Sequence, residues 1–279
     1  MGPGVIGAGV MHINLFADLI IGSTLAAGSI SYLYYADRLN QLPLGMVGIA
    51  VGTALLPMLS RAISAKDNAE AQNLFNRSLE ICLLLALPAA VALFVIPESL
   101  ISALFQRGEF TSADTQITAR VLMGYAFCLP AYIAVKVFST AYWSNQDTMS
   151  PVKISIIITA INIALSLILI HPFGVAGIAI STGLVGWLQL ALLYRGLMKK
   201  TDFRFDARFK RVIVKILLSA TIMGGALIAI ERYLNLSNAI MSLALLVISG
   251  AIIYAIAIIA TKAIKPSELK TFLSRNKKA

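Results

Sequence analysis

The chain has 279 residues, of which 58% are hydrophobic and only 13% charged, with a net charge of +10. Soluble domains carry roughly 25% charge, whereas here the apolar residues arrive in blocks of about 20, the length that crosses a bilayer. A soluble enzyme and a nucleic-acid module are both set aside, because in a membrane protein a basic excess marks cytoplasmic connections rather than a polyanionic partner.

Eight segments have the length and apolarity of a span: 9–36, 40–60, 78–97, 119–141, 152–171, 174–197, 212–232 and 239–262. Their apolar runs are continuous rather than alternating, which argues for helices over a β-barrel. The expected fold class is an all-α polytopic membrane protein. Cys82 and Cys128 both lie inside apolar runs, so they are expected as buried thiols rather than a disulfide. The N-terminus shows neither a basic n-region nor a small-residue cleavage site, and no signal peptide is expected.

The first span is overlong. As one helix, 9–36 would reach about 42 Å against a hydrocarbon core of about 30 Å. Gly28-Ser29 is the expected hinge, since Gly/Ser pairs kink helices. Beyond it Ser31, Tyr32, Tyr34 and Tyr35 have the makeup of an interfacial aromatic belt. Asp18 falls toward the cytoplasmic half of this span, with Asn14 one turn before and Gly22 one turn after. On a helical wheel Asn14, Asp18, Gly22 and Ser29 share a sector of about 80°. A central carboxylate costs about 2.5–3.5 kcal/mol on insertion scales, so this stripe should face a cavity or a partner helix. Asp18 reads either as a cation or proton site or as a locally hydrogen-bonded structural carboxylate.

Asp37-Arg38 closes the outer end of the first span, just before Asn40-Gln41-Leu42-Pro43. Arg38 either snorkels to external headgroups or presents its planar fork to a diphosphate at a cavity mouth. The connection 61–77 reads as a short polar helix, and Glu80 as interfacial. In 98–118 an amphipathic stretch and a Gly turn precede Thr111 and Ser112. Either residue is suited to cap the next helix, with Asp114 in its first turn. Lys136 falls about one and a half turns before the inner end of the fourth span, where snorkelling accounts for it. Asn162 and Ser166 share one face of the fifth span, and Thr182, Gly186 and Gln189 one face of the sixth. These spacings suit interhelical hydrogen bonds.

Pro43–Thr53 (PLGMVGIAVGT) matches Pro172–Thr182 (PFGVAGIAIST) at six of eleven positions. Each copy is expected to open a helix entering from outside. The match is either an internal repeat of the kind transporters use or a coincidence of Gly/Ala/Ile-rich sequence. Of the 23 Lys/Arg, 18 fall in one set of connections, and only Arg38, Arg107, Arg120 and Arg232 in the other. The positive-inside bias places the first set, and both ends of the chain, in the cytoplasm. The tail 263–279 has Lys and Leu/Phe at helical spacing; it either lies against the anionic lipids of the inner leaflet or is solvated.

His12 and His171 have no metal-ligand spacing, and the sequence holds no Walker-A motif, G-x-S-x-G or hydrolytic carboxylate pair. No resident cofactor is expected. Energy would come from a sodium or proton gradient, the membrane potential or a partner.

The string GSISYLYYADRLNQLPLGMVGIAVGTALLPMLS (28–60) resembles the signature region of the MurJ (MviN) lipid II flippases of the MOP exporter superfamily. LFQRGEFTSADT (104–115), YWSNQDTMSPVKIS (142–155) and GVAGIAISTGLVGW (174–187) fit later parts of the same family. The resemblance implies transfer of lipid II, the undecaprenyl-diphosphate-linked peptidoglycan precursor, between leaflets of the bacterial inner membrane. It further implies fourteen helices in two lobes around a cationic cavity, working by alternating access. The eight spans match the seventh to fourteenth helices, so an N-terminal lobe of six more helices is the implied partner. Arg38 matches a cavity arginine at the outer end of the seventh helix, with Asp37 beside it as a further substrate contact, and Ser29 matches the bend and is a third expected substrate contact. Asp18, Asn162 and Thr182 match the places of a sodium site found in some members. Ser166 stands where that site has a second carboxylate, which removes a charged ligand for a hard cation.

On this reading 1–200 forms the bundle, 201–262 supplies two helices with a lipid-facing groove, and 263–279 is a basic cytoplasmic tail. Two other readings stay open: an exporter of another lipid-linked oligosaccharide or small cation in the same superfamily, and a non-transporting membrane remnant.

Overall fold

The computed structural model describes residues 2–201, 203–233 and 238–263. It is 88% helical, with no strand among the described residues. Helix α1 (Gly2–Ser23) is followed by α2 (Ser29–Ala50), which passes through a single π-helical stretch (Val51–Leu55) into α3 (Leu56–Ser64). Then come α4 (Asn68–Val95), the short α5 (Pro97–Phe105), α6 (Ser112–Ser144), α7 (Met149–Phe173) and α8 (Ala176–Lys200). Helices α9 (Ala207–Tyr233) and α10 (Ala239–Ala260) complete the fold. Among the described residues seven helices are long and apolar enough to cross a membrane, one fewer than the eight expected, and the first helix contributes the shorter apolar stretch Ile13–Ser23.

Two sequence expectations need correction. No hairpin forms at 37–39: residues 29–64 are one continuous helical rod of 36 residues. The chain instead turns at 24–28, where Gly28 takes a left-handed φ of 92° and caps α2. Gly28-Ser29 is therefore a junction between two helices rather than a kink within one. Polar side chains at 37–41 do not make a loop, because Asp37, Asn40 and Gln41 turn into the lobe. Asp18 consequently stands near the end of α1 that meets α2, not in the opposite half. The echo also diverges in structure. Pro172-Phe173 ends α7 and Gly174 adopts φ 57°, whereas Pro43 stays inside α2.

Helix α6 is the centre of the fold, packed by α2, α4 and α8. Its contact with α8 is close because small residues face each other: Gly124 opposes Ala179 and Gly183, and Gly186 opposes Cys128. Small residues let helix backbones approach where lipid offers no hydrophobic drive. Tyr142 Oη donates to Leu193 O at 3.1 Å across the same seam. The start of α6 is capped as the sequence indicates. Thr111 accepts from Asp114 N, and the Asp114 carboxylate accepts from Thr111 N at 2.7 Å. Both cysteines are free and buried.

Helices α9 and α10 are held by small cores of their own. One joins Ile96 to Met223, Leu227 and Leu246; another joins Ile216 to Ile258 and Ala263. The linker into α9 is fixed by Arg77, which pairs with both Glu80 and Asp206, and by Phe203 stacked on Phe75. Glu80, expected at an interface, is in fact 7% exposed. The tail from residue 264 onward lies outside the described residues.

Candidate functional site

Between α1, α2 and α6 lies a cavity of about 430 Å³. Asn14 and Asp18, one turn apart on α1, form one wall. Asp37, Asn40 and Gln41 form the facing wall on α2, at the i, i+3, i+4 spacing of a single helical face. Tyr125, Tyr132 and Lys136 of α6 line it from the side, and Thr182 of α8 closes it. Gln41 Nε2 donates to the Asp37 carboxylate. Asn14 Oδ1, Asp18 Oδ1 and Asn40 Oδ1 are buried with no hydrogen-bond partner.

Arg38 is placed otherwise. One residue along a helix is a rotation of about 100°, so Arg38 leaves the cavity wall and stands on the uncovered face of α2. Its guanidinium lies 4.6 Å from the Tyr34 ring centroid, and Leu42 and Met46 below it are 65% and 75% exposed. Asp37 and Arg38, neighbours in sequence, thus look into different spaces.

The hinge residues are committed to the turn. Ser29 is buried and its Oγ donates to Ala26 O at 2.7 Å, which takes the hydroxyl away from any substrate in this conformation. Tyr32 braces the turn by donating to the Asp114 carboxylate.

Of the three residues expected to share a cation, Asp18 and Thr182 line the one cavity. Asn162 lies behind, between α7 and α8, with Nδ2 3.3 Å from both Ser181 Oγ and Thr182 Oγ1. Ser166 Oγ pairs with Ser181 Oγ in the same patch. Gln189, also expected to bond between helices, donates to Ser155 Oγ at 3.2 Å.

Sequence reasoning missed Lys136, Asn40, Gln41, Tyr125 and Tyr132 as cavity residues. Lys136 does not snorkel out; its Nζ lies against Gly48, where an added Cβ would strike it. The signal was available: positions 125, 132 and 136 fall on one face of an otherwise apolar helix.

Solved structures share this fold. One described as "Lipid II flippase MurJ, inward closed conformation" superposes with a TM-score of 0.75 at 29% identity, over 89% of this chain and 50% of that one. An outward-facing multidrug resistance MATE transporter of the MOP superfamily gives a TM-score of 0.62 at 20% identity, over 93% of this chain and 62% of that one. The fold is that of one helical lobe of a multi-pass membrane protein.

The family model described as "Lipid II flippase MurJ" matches residues 1–261. A Rhizobium meliloti protein named "Probable lipid II flippase MurJ" is 39% identical over 225 residues, covering 81% of this chain and 42% of that protein. One of the same name from Rhizobium tropici is 36% identical over 233 residues, covering 82% and 43%. The chain belongs to the MurJ family of lipid II flippases. It spans less than half the length of these curated relatives.

Proposed function

We propose that the chain forms the C-terminal lobe of a flippase that delivers lipid II from the inner to the outer leaflet of the bacterial inner membrane. The work is translocation, not catalysis. The partner is an N-terminal lobe closing over the uncovered face of α2, and the cytoplasmic side is the one bearing the 18 clustered Lys/Arg, with both chain ends there.

The observation that carries the reading is Arg38. It forms no hydrogen bond or ion pair with another described residue and stands on a face flanked by exposed apolar side chains. A guanidinium so placed offers a diphosphate two parallel charged hydrogen bonds. Asp18 is the counterpart on the cavity wall: a carboxylate toward the end of α1 that meets α2, able to respond to a sodium ion or proton and bias the hinge. Helices α9 and α10 supply the lipid-facing surface for a polyprenyl chain, with Leu218 and Ile222 on α9 and Ile252 and Ile256 on α10 exposed.

The test is Arg38→Ala in the full-length flippase, read as the fraction of lipid II reaching the outer leaflet. Charged hydrogen bonds are worth about 1.5–3 kcal/mol, so transport should fall at least about tenfold while the melting temperature holds. Arg38→Lys keeps the charge without the fork and should recover part of the loss. Wild-type transport in Arg38→Ala would remove the assignment.

A further inference from the structure

A second and larger cavity, of about 540 Å³, opens where the α1–α2 turn meets the α5–α6 connection. It lies at the end of the rod 29–64 remote from the basic connection 61–77. The wall of this pocket is aromatic. Tyr35 lies 4.7 Å from Phe105 and 5.5 Å from Phe110, centroid to centroid, with Tyr32 beside them. The rim is polar: Ser31, Arg107 and Glu109 are exposed. Neither the Ser31 hydroxyl nor the Glu109 carboxylate bonds to another described residue. Arg107 spends one donor on Leu104 O, at 2.6 Å, and keeps the rest of its fork.

We propose that this pocket is a sugar subsite, which takes a neutral pyranose of the lipid-linked headgroup at the outer mouth of the lobe. A pyranose has an apolar C–H face that packs on aromatic rings, and a rim of hydroxyls that both donate and accept. The aromatic wall meets the first, and the mixed rim of guanidinium, carboxylate and hydroxyl meets the second. Charge sets aside other small ligands. Both Asp114 oxygens are occupied: one accepts from Tyr32, the other from Thr111 N and Oγ1 at 2.7 and 2.6 Å. That leaves one free carboxylate, Glu109, against one guanidinium, Arg107, a balance that favours neither a phosphate nor a cation. The volume falls within the range of about 300–1,000 Å³ of small-molecule sites.

Position ties the pocket to Arg38. Ser31, Tyr35 and Arg38 fall at i, i+4 and i+7, one stripe of α2, and Ser31 is about 10 Å along the helix from Arg38. In a glycosyl diphosphate the sugar is joined directly to the phosphate. A diphosphate held by Arg38 therefore directs its sugar along this stripe into the pocket. The pocket is also braced before any ligand arrives. Gly28 sets the turn with φ 92°, and Tyr32 ties α2 to Asp114 at the start of α6. Phe110 N donates to Arg107 O at 3.2 Å, closing the loop that carries Arg107 and Glu109. Such preorganisation cuts the ordering cost of binding. The headgroup assignment rests on the transport reading; sugar binding itself does not.

The test uses the full-length protein in detergent and has two arms. In the first, saturation-transfer NMR follows N,N′-diacetylchitobiose, a soluble disaccharide with neither lipid nor phosphate. Saturation should pass to its ring C–H protons in the wild type. It should be lost in Phe110→Leu, which removes a ring but keeps apolar bulk, and in Glu109→Ala, whose exposed side chain the fold does not need. In the second arm, binding of undecaprenyl diphosphate is compared with binding of the same lipid carrying one N-acetylglucosamine. The wild type should bind the sugar-bearing lipid about tenfold more tightly, the effect of about 1.4 kcal/mol. Arg107→Ala and Glu109→Ala should bring that ratio toward one and leave undecaprenyl diphosphate binding unchanged. No saturation transfer in the wild type, or transfer kept in both Phe110→Leu and Glu109→Ala, overturns the site. Equal wild-type affinity for the two lipids overturns the headgroup assignment. Arg38→Ala should lose both lipids and keep the chitobiose contact. Wild-type binding of neither lipid, with that contact present, removes the flippase reading and leaves the sugar site standing.

Discussion

Gly124→Ala tests whether the α6–α8 seam is as tight as its small residues indicate. A Cβ at Gly124 would lie 2.8 Å from Ala179 Cβ, 3.0 Å from Ala179 C and 3.1 Å from Ile180 N. Two of these atoms are backbone, so no flexible side-chain end can give way. From the other side, Gly183 already has Gly124 O 3.0 Å from its own Cβ position. Helix α8 must therefore retreat by several tenths of an ångström. Overpacking of this kind costs about 1–3 kcal/mol, against which Ala in a helix gains about 1 kcal/mol over Gly. Gly225→Ala on α9 isolates the second quantity, because nothing lies within 4 Å of its Cβ position. The propensity gain is common to both variants and cancels in their difference. Gly124→Ala should then be less stable than Gly225→Ala by about 1–3 kcal/mol. For a full-length protein about twice the size to which 2–4 °C per kcal/mol applies, the shift is about 1–2 °C per kcal/mol, so its melting temperature should be lower by roughly 1–6 °C. Thermal melting of the two purified full-length variants, followed by tryptophan fluorescence, provides the comparison. If Gly124→Ala melts at or above Gly225→Ala, the seam is not close-packed and the placement of α6 at its centre is wrong.

Gly28→Ala forces an L-residue into a left-handed φ of 92° and sets a Cβ 2.9 Å from Tyr32 Oη. It should destabilise by about 1–2 kcal/mol and be seen as a lower melting point; an unchanged one would mean the turn rearranges freely. Asp147 supplies a pH signature outside the spans. Burial pushes its carboxyl up, but hydrogen bonds from Lys200 Nζ at 2.6 Å and from Ser150 N and Oγ outweigh this and hold it below its ordinary value. A carboxyl lowered on folding contributes stability above its unfolded value of about 3.9, and that contribution is lost as pH falls through the folded value. Melting temperature should therefore drop from about pH 5 downward, and Asp147→Asn should flatten that part of the slope. Equal acid sensitivity in parent and variant would show that the Lys200 contact contributes nothing.

What the sequence reveals about this lobe depends on how local the cause is. The crossing helices are legible because span length is a property of the bilayer and is written as runs of apolar residues. The α6 cap is legible because Thr111 and Asp114 satisfy each other within one turn. The string Asp37-Arg38-Leu39-Asn40-Gln41 misleads because polar residues suggest a turn only where water is the alternative surrounding. Here the alternative is a cavity, and the i, i+3, i+4 spacing of Asp37, Asn40 and Gln41 was the sign of a helical face.

Lys136 misleads for a related reason. Snorkelling requires nearness to a helix end, yet α6 runs on to Ser144 and keeps the ammonium inside. Neither residue's neighbours could be read without knowing which helices meet, since that depends on contacts between Gly124 and α8 or between Lys136 and Gly48, far apart in the chain. Once residues 29–64 are one helix, a consequence follows for function. Asp37 faces the α1–α2 cavity and Arg38 the uncovered surface, joined by one peptide unit of a rigid rod. A change in the hinge angle driven from the cavity then reorients Arg38 without any flexible link. Under the proposed function, the cavity wall and the substrate contact lie on two faces of the same helix.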